Sequence, residues 1–223
     1  MLDFKVTSSV HDYEVEFIDN APSMLRNEVQ DGDVIIMDNK VKNLYPDLLD
    51  HLNNYIEVIS IDSREDQKSY DGLIPIIQKL INSGFRKNNR LVGIGGGIIQ
   101  DITAFTASIM YRGVRWIFFP TTLLAQGDSC IGSKTSINFG EYKNQVGGFY
   151  PPNKILINID FLDTLSKEDI QSGLGEMSHY FVVAGEKDFK DYKRDYEKAF
   201  SDKIVLAKMI SNSLKIKKSY IEI

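Results

Sequence analysis

The sequence predicts an α/β fold in which a mostly parallel β-sheet is followed by the beginning of an all-α segment. Five short apolar runs have the length and composition of buried strands: Val34–Met37, Val58–Ile61, Leu91–Ile94, Arg115–Phe119 and Ile155–Ile159. Amphipathic segments separate these runs, and the strand-like runs stop after Asp160. Strands that alternate with helices favour βαβ units, in which neighbouring strands are parallel.

Two of the segments between the strands have the apolar spacing of amphipathic helices. One carries Leu73, Ile76, Ile77, Leu80 and Ile81, with Gly84 after it as a C-cap, and the other carries Ile98, Ile102, Phe105 and Ile109. This order of strands and helices indicates a Rossmann-like nucleotide-binding domain, which we place at residues 1–164.

The rest of the chain has helical patterns only. Ser166 and Asp169 have the spacing of a capping box, and the stripe that follows is Ile170, Leu174, Met177, Phe181 and Ala184. Beyond Gly185 and a charged stretch, Ser201 begins a second helix, with a stripe at Ile204, Ala207, Ile210, Leu214, Lys217 and Ile221. We interpret residues 165–223 as the start of an α-helical domain. Because no glycine, asparagine or proline stops the last stripe, we expect the chain to be part of a longer protein.

Composition narrows the class of protein. The 223 residues are 43% hydrophobic and 26% charged, which is ordinary for a globular protein. A net charge of −5 argues against a general nucleic-acid or membrane-surface binder. No apolar run approaches the ~18 residues of a transmembrane helix, and the N-terminus lacks a signal-peptide pattern. The single cysteine, Cys130, is expected to be a small buried apolar residue. We therefore expect a cytoplasmic protein.

A glycine-rich turn joins the strand Leu91–Ile94 to the helix that follows. Gly95, Gly96 and Gly97 would allow backbone N–H groups and a helix N-terminus to approach a pyrophosphate. The turn is not GxGxxG, and three glycines at a strand–helix turn also serve packing alone, so both interpretations stay open.

A second glycine-containing segment, Gly127–Thr135, is not a P-loop. Its lysine, Lys134, comes one residue too late, and no strand runs directly into the loop. Lys134 could still meet a phosphate as a point charge.

The helical segment carries candidate metal and substrate residues. Glu176 and His179 are three residues apart and share a helix face, as in Glu-x-x-His metal sites, although an exposed Glu–His contact has the same spacing. His11 and His51 are far away in sequence, so a zinc site with three protein ligands cannot be assembled from the spacing. Lys217 lies on an apolar helix face, where it either lines a cleft or extends its stem over apolar surface.

Four segments combine into a specific pattern: GGGIIQDITAF (Gly95–Phe105), MYRGVRWIFFPTTLLAQGDSCIGSKT (Met110–Thr135), YKNQVGGFYPP (Tyr142–Pro152) and GLGEMSHY (Gly173–Tyr180). Together they resemble the 3-dehydroquinate synthase family of sugar-phosphate cyclases, over roughly residues 30–221. The resemblance implies a lyase of the shikimate pathway that uses NAD and a divalent metal, zinc or cobalt. It also implies a sugar-phosphate substrate and a homodimer, without nucleic-acid or membrane partners.

The resemblance also implies roles for individual residues. The cofactor NAD would be bound by Glu65, Lys68, Gly96, Gly97, Asp101, Thr121, Thr122, Lys134, Lys143, Phe161 and Thr164. The catalytic and substrate-binding residues would be Arg112, Asp128, Lys134, Asn144, His179 and Lys217, with Arg112 reaching the substrate of the neighbouring subunit. Glu176 would be the carboxylate ligand of the metal.

Four positions depart from the family pattern. His179 stands in place of a lysine that contacts substrate, Gln100 and Ser133 each in place of a glycine, and Cys130 in place of a serine. The family's two histidine metal ligands would lie beyond residue 223, so we expect this chain alone to be inactive.

The family chemistry is a transient oxidation of a ring hydroxyl, loss of phosphate, re-reduction of the ketone and closure of a carbocycle. One alternative is a cyclase for another sugar phosphate, which the change at His179 favours. Another is an inactive homologue kept for binding or assembly. A metal-dependent polyol dehydrogenase is the third, but its GGGS-x-x-D-x-AK pattern differs from Gly95–Phe105.

Overall fold

The computed structural model describes residues 2–50, 52 and 56–222. Its strands are β1 (Phe4–Val6), β2 (Tyr13–Phe17), β3 (Val34–Asp38), β4 (Glu57–Ile61), β5 (Leu91–Gly95), β6 (Trp116–Pro120), β7 (Lys134–Phe139), β8 (Tyr142–Phe149) and β9 (Lys154–Ile157). Its α-helices are α1 (Ala21–Glu28), α2 (Asn39–Leu44), α3 (Tyr70–Asn82), α4 (Gly97–Ile109), α5 (Lys167–Ala184), α6 (Glu186–Tyr196) and α7 (Lys203–Ile221).

Seven strands form one sheet in the order β1-β2-β9-β6-β5-β3-β4. Strand β1 pairs antiparallel with β2, and every other pair in this sheet is parallel. Strands β7 and β8 form a separate antiparallel hairpin. The predicted α/β, mostly parallel architecture is confirmed, and the five predicted strands differ from the observed ones by two residues at most.

Several elements were not indicated by the sequence. Strand β1 is the edge strand and β2 lies beside it; both are short, and neither contains a long apolar run. Residues of β8 are largely exposed, which leaves no apolar pattern to read. Helix α6 lies in the charged stretch and buries only Tyr192.

The helix boundaries mostly follow the sequence signals. The side chain of Ser69 caps α3, and Gly84 has a φ of 77° directly after the C-cap residue Ser83. In α5 the predicted capping box is present, with the Asp169 N–H donating to Ser166 Oγ at 3.1 Å. Helix α7, however, begins after Asp202, whose carboxylate accepts from two backbone N–H groups, and Ser201 is not its cap.

The predicted apolar stripes were wrong at their ends. Ile81, Ile109, Ala184, Ile204 and Ile221 are exposed, because the buried face of each helix is set by the elements packed on it. On α7 that face runs through Leu206, Met209, Ile210, Ser213 and Leu214. The apolar periodicity predicts that a segment is helical, but it defines which face of the helix is buried only to within about one residue step.

The helices after residue 166 share a core with the sheet. Leu174 and Met177 of α5 and Leu214 of α7 belong to one buried cluster that also contains Val15 and Ile155. The side chain of Ser211 donates to the Leu2 carbonyl, so α7 also contacts the N-terminal segment. The domain boundary after residue 164 stays a prediction. In the part of the chain that the structure covers, no helix combines the length and apolar character needed to cross a bilayer.

A buried ion pair holds the starts of β3 and β5 together. Arg90 Nη2 lies 2.7 Å from Asp33 Oδ2, and the Arg90 backbone N–H donates to Asp33 Oδ1 at 2.8 Å. The two side chains are 10% and 2% exposed. Removing one partner of such a pair leaves an uncompensated buried charge.

We expect Asp33→Ala to lower the free energy of unfolding by about 3–5 kcal/mol, because Arg90 would keep its charge without its partner. The matched control is Glu14→Ala, which breaks the exposed Lys5–Glu14 pair and should cost about 0–1 kcal/mol. Urea unfolding monitored by circular dichroism measures both. Equal losses in the two variants would contradict the assignment of stability to the buried pair.

Candidate active site

A groove of about 650 Å³ lies at the carboxyl ends of the parallel strands. Its walls come from the residues that follow β3, β5, β6 and β9, which is where open α/β sheets bind ligands. Nine residues assigned to the cofactor line it: Glu65, Lys68, Gly96, Gly97, Asp101, Thr121, Thr122, Phe161 and Thr164.

The glycines of this turn allow close packing and leave the N-terminus of α4 accessible from the groove. A Cβ on Gly95 would meet Ile99 Cγ1 at 2.4 Å, and a Cβ on Gly96 would meet Thr122 Cγ2 at 2.9 Å, so close packing requires both glycines. Gly96 is also the N-cap of α4 and provides no side chain to cap it. The helix N-terminus therefore presents backbone N–H groups beside the groove, an arrangement suited to a phosphate.

A second cavity of about 420 Å³ holds most of the predicted catalytic residues. Asp128, Lys134, Asn144, Glu176, His179 and Lys217 all line it. Four residues line both the groove and this cavity: Lys68, Gln100, Asp101 and Ser129. The two spaces thus share a wall, and we call the first one the groove and the second one the cleft.

Lys68 is the centre of a polar network in that wall. It is 6% exposed, and its ammonium lies 3.0 Å from Asp101 Oδ2, 2.7 Å from Asn144 Oδ1 and 3.6 Å from Glu65 Oε1. Burial raises the pKa of Asp101, and the Lys68 charge opposes that shift. The ammonium thereby joins α4, the turn before α3 and the hairpin.

A second amide, that of Asn138, connects the β7–β8 hairpin to Glu65. Asn138 donates to Glu65 Oε1 at 2.8 Å and accepts from the Asn144 backbone N–H at 2.9 Å. The first of these hydrogen bonds lowers the pKa of Glu65. Asn144 has a φ of 56°, in the left-handed region that asparagine tolerates better than most residues. This backbone geometry directs Asn144 to Lys68.

Asp128 lies on a π-helical turn, Ala125–Ser129, at the other side of the cleft. Its carboxylate accepts hydrogen bonds from Tyr180 Oη and, at 2.7 Å, from Lys217 Nζ. Burial first, and then the hydrogen bond to Asp128, raise the pKa of Tyr180 far above its usual range. The phenol therefore remains a donor at neutral pH, and Lys217 is paired in the cleft.

Four side chains anchor the π-helical turn through hydrogen bonds. The Gln126 amide donates to the carbonyls of Pro120 and Asn158 at 3.0 and 2.8 Å, and Ser213 Oγ donates to the Gly127 carbonyl at 2.8 Å. Lys217 donates to the Asp128 carbonyl at 2.8 Å. The Gln100 amide donates to the Ser129 carbonyl at 2.6 Å. Turns with π-helical geometry occur often at functional sites.

Cys130 directly follows this turn, and its burial makes the thiol unreactive. It is 1% exposed, and burial raises the pKa of its thiol to about 12. The expectation of a small buried apolar residue is confirmed.

Two predicted residues do not line either space. Arg112 is exposed, has a φ of 62° and lies in the short helical turn 110–112. Lys143 is exposed on β8. Residues that the sequence analysis did not assign also line the site, among them Asp38, Tyr45 and Tyr180. The sequence did contain a signal for Asp38, because this residue is an acid at the end of a buried strand.

The described part of the chain does not complete a metal site. Glu176 and His179 are exposed and line the cleft, and the His179 ring centroid lies 3.8 Å from that of Tyr180. No group of three or more His, Cys, Asp or Glu side chains suited to a metal occurs within residues 2–50, 52 and 56–222. His51 lies outside the described residues. Two donors fall short of a three-ligand site, so we derive no chemical step through a metal.

We expect Lys68→Met to detach the hairpin, because the charged hydrogen bonds to Asp101 and Asn144 are lost. Amide hydrogen exchange in β7 and β8 should accelerate at least about tenfold, as expected for the loss of roughly 1.5–3 kcal/mol. Exchange in β5 and β6 should be unchanged. Lys79→Met, at an exposed position of α3, is the control. Unchanged hairpin protection in Lys68→Met would contradict the assignment.

Comparisons with known proteins identify the family. Residues 58–172 match the family model described as 3-dehydroquinate synthase N-terminal. A 3-dehydroquinate synthase of Sulfurisphaera tokodaii is 37% identical over 186 residues, which cover 80% of this chain and 52% of the relative. One of Dictyoglomus turgidum is 38% identical over 166 residues, which cover 74% and 47%. The chain spans about half the length of the curated relatives it matches.

Solved structures show the same fold at low identity. A 2-deoxy-scyllo-inosose synthase, complexed with carbaglucose-6-phosphate, NAD+ and Co2+, has a TM-score of 0.82 and 17% identity, and the match covers 99% of this chain and 62% of the other. A 2-epi-5-epi-valiolone synthase from Streptomyces hygroscopicus, with NAD+ and Zn2+ bound, has a TM-score of 0.74 and 24% identity, with 94% and 59% covered. The family model covers more than half of this chain, and the chain therefore belongs to the 3-dehydroquinate synthase family.

Proposed function

We propose that this chain forms the NAD-binding half of a 3-dehydroquinate synthase-type cyclase, a lyase that eliminates phosphate from a sugar phosphate and closes a carbocycle. The observation that carries the proposal is the shared wall of Lys68, Gln100, Asp101 and Ser129. It separates a groove suited to a dinucleotide from a cleft with basic residues and the Glu176 carboxylate. A redox cofactor in the groove would meet a phosphorylated substrate at this wall.

The groove residues fit NAD. The uncapped N-terminus of α4 would hold the pyrophosphate, and the ring end would lie at the shared wall, since only there does the groove meet the cleft. When bound, NAD would accept a hydride from the carbon of a ring hydroxyl and return it after the elimination; the transient ketone makes the neighbouring C–H acidic enough for phosphate to leave. Lys68 and Asp101 would keep the wall in place around the ring end.

The cleft residues would orient the substrate. Lys134, exposed at the first residue of β7, would hold the phosphate as a point charge and favour its departure. The Asp128 carboxylate is fixed by Tyr180 and Lys217, so its position is preorganised. Glu176 would supply one carboxylate ligand for the divalent metal, zinc or cobalt, with further ligands from outside the described residues.

A homodimer would explain the position of Arg112. The side chain is exposed and lines neither the groove nor the cleft of its own chain. The family resemblance assigns this arginine to the phosphate of a neighbouring subunit's substrate. Its outward location supports that assignment.

The second candidate is a cyclase for a sugar phosphate without a carboxylate. It is favoured by His179, which lines the cleft where the family pattern has lysine. Imidazole is shorter than the lysine side chain and carries less charge at neutral pH, so its hold on a carboxylate is weaker.

We expect the purified chain to bind NAD in calorimetry and to release no phosphate from sugar phosphates, because the metal site is incomplete. Asp101→Ala should weaken NAD binding by about 1–3 kcal/mol, the scale of a lost charge-assisted hydrogen bond. Asp71→Ala, at an exposed position of α3, is the control. Absence of NAD binding by the folded wild type would refute the proposed cofactor role.

We expect His179→Lys to favour carboxylated ligands. With NAD present, the variant should bind a sugar-acid phosphate about tenfold more tightly than wild type, while its affinity for a non-carboxylated sugar phosphate changes less than about threefold. Calorimetry on both ligands gives the ratio. The same ratio in both proteins would show that His179 does not select the substrate.

A further inference from the structure

Gln100 makes a paired contact that links α4 to the π-helical turn. It lies in the first turn of α4 and is 6% exposed. Its amide nitrogen donates to the Ser129 carbonyl at 2.6 Å, and its amide oxygen accepts from Ser129 Oγ at 2.7 Å. Both polar groups of the side chain are thus engaged by a single residue, which fixes the rotamer of Gln100 and the end of the turn at once.

This contact acts on the residue beside Ser129. Asp128 is held from the helical segment by Tyr180 and Lys217, whereas Gln100 holds the same turn from the side of the nucleotide-binding sheet. The Gln100–Ser129 pair therefore sets the spacing between the N-terminus of α4 and the Asp128 carboxylate. Neither Gln100 nor Ser129 has to touch the substrate to do so.

The pair also forms part of the wall between the groove and the cleft. Gln100 and Ser129 are two of the four residues that line both spaces. The other two, Lys68 and Asp101, form an ion pair on the hairpin side. The shared wall is thus built from the ion pair and from the amide–hydroxyl pair.

We propose that Gln100, through Ser129, is a positioning residue that fixes this wall and aligns the ring end of the dinucleotide with Asp128. The proposal rests on the proposed function, because it requires that the groove binds NAD with its ring end at the shared wall. A glycine at this position, as in the family pattern, would supply neither hydrogen bond. The Gln100–Ser129 contact is therefore a feature of this chain's own sequence.

The test compares two ligands in wild type and variants. NAD reaches the shared wall, whereas ADP ends at the pyrophosphate and does not. Gln100→Met keeps the length of the side chain and removes both hydrogen bonds. It should weaken NAD binding about five- to tenfold, the effect of about one or two lost hydrogen bonds, and change ADP binding less than about twofold. Gln78→Met, at an exposed position of α3, is the matched control.

Ser129→Ala is the milder second variant, which retains the bond to the Ser129 carbonyl. It should weaken NAD binding about two- to threefold, and the double variant Gln100→Met/Ser129→Ala should be no weaker than Gln100→Met, because the Ser129 hydroxyl acts through Gln100. Calorimetry on proteins with matched circular dichroism spectra measures all of these affinities.

The outcomes separate the inference from the function on which it rests. Binding of ADP and NAD by wild type, with an unchanged NAD-to-ADP ratio in both variants, would overturn the positioning role and leave the NAD proposal standing. Equal losses for the two ligands would show a purely structural role and would also overturn it. Binding of neither ligand by wild type would overturn the function and the inference together. A loss confined to NAD, non-additive with Ser129→Ala, supports the proposal.

Discussion

The π-helical turn Ala125–Ser129 is the constraint on which the arrangement of the site depends. Its last backbone carbonyls lie at the C-terminal end of a helical segment, where no later helical N–H pairs with them, and they accept hydrogen bonds from Ser213, Lys217 and Gln100. Because these donors come from α7 and from α4, the turn connects the helical segment to the parallel sheet. It also places Asp128 in the wall of the cleft. Without these three donors the carbonyls would be left unpaired, and the two parts of the chain would lose this connection.

The hairpin side of the site depends on a different kind of interaction. Lys68 is nearly buried, and an ammonium is stable there only with charged and polar partners. Asp101 and Asn144 supply them, so the cost of burying one charge is offset by contacts that also hold the hairpin. The two sets of contacts differ in how strictly they fix the geometry of the site. The Lys68 network is ionic and would tolerate small shifts, whereas the Gln100–Ser129 pair is directional and fixes one geometry.

These two sets of contacts hold the walls of the groove in place within the described residues. The groove is built wholly from strand ends and loops that the described residues contain, and its glycines are required by packing at Gly95 and Gly96. The metal end is different. Glu176 and His179 project from α5 without a third ligand in the part of the chain that the structure covers. The groove and the candidate metal ligands therefore lie on different parts of the chain, so the proposed binding of NAD can be measured without turnover.

The sequence by itself determined the alternation of strands and helices, the glycine turn, the capping box at Ser166 and the family. All of these are local: they need only neighbours within a few residues, or short motifs in order. Tertiary structure decided which face of α7 is buried, that Asp38 and Tyr180 line the site, and that Arg112 points away from both cavities. It also turned the departure at Gln100 into a contact with Ser129. These outcomes depend on pairs of residues far apart in the chain, whose meeting is set by how the elements pack and not by the pattern within any one of them.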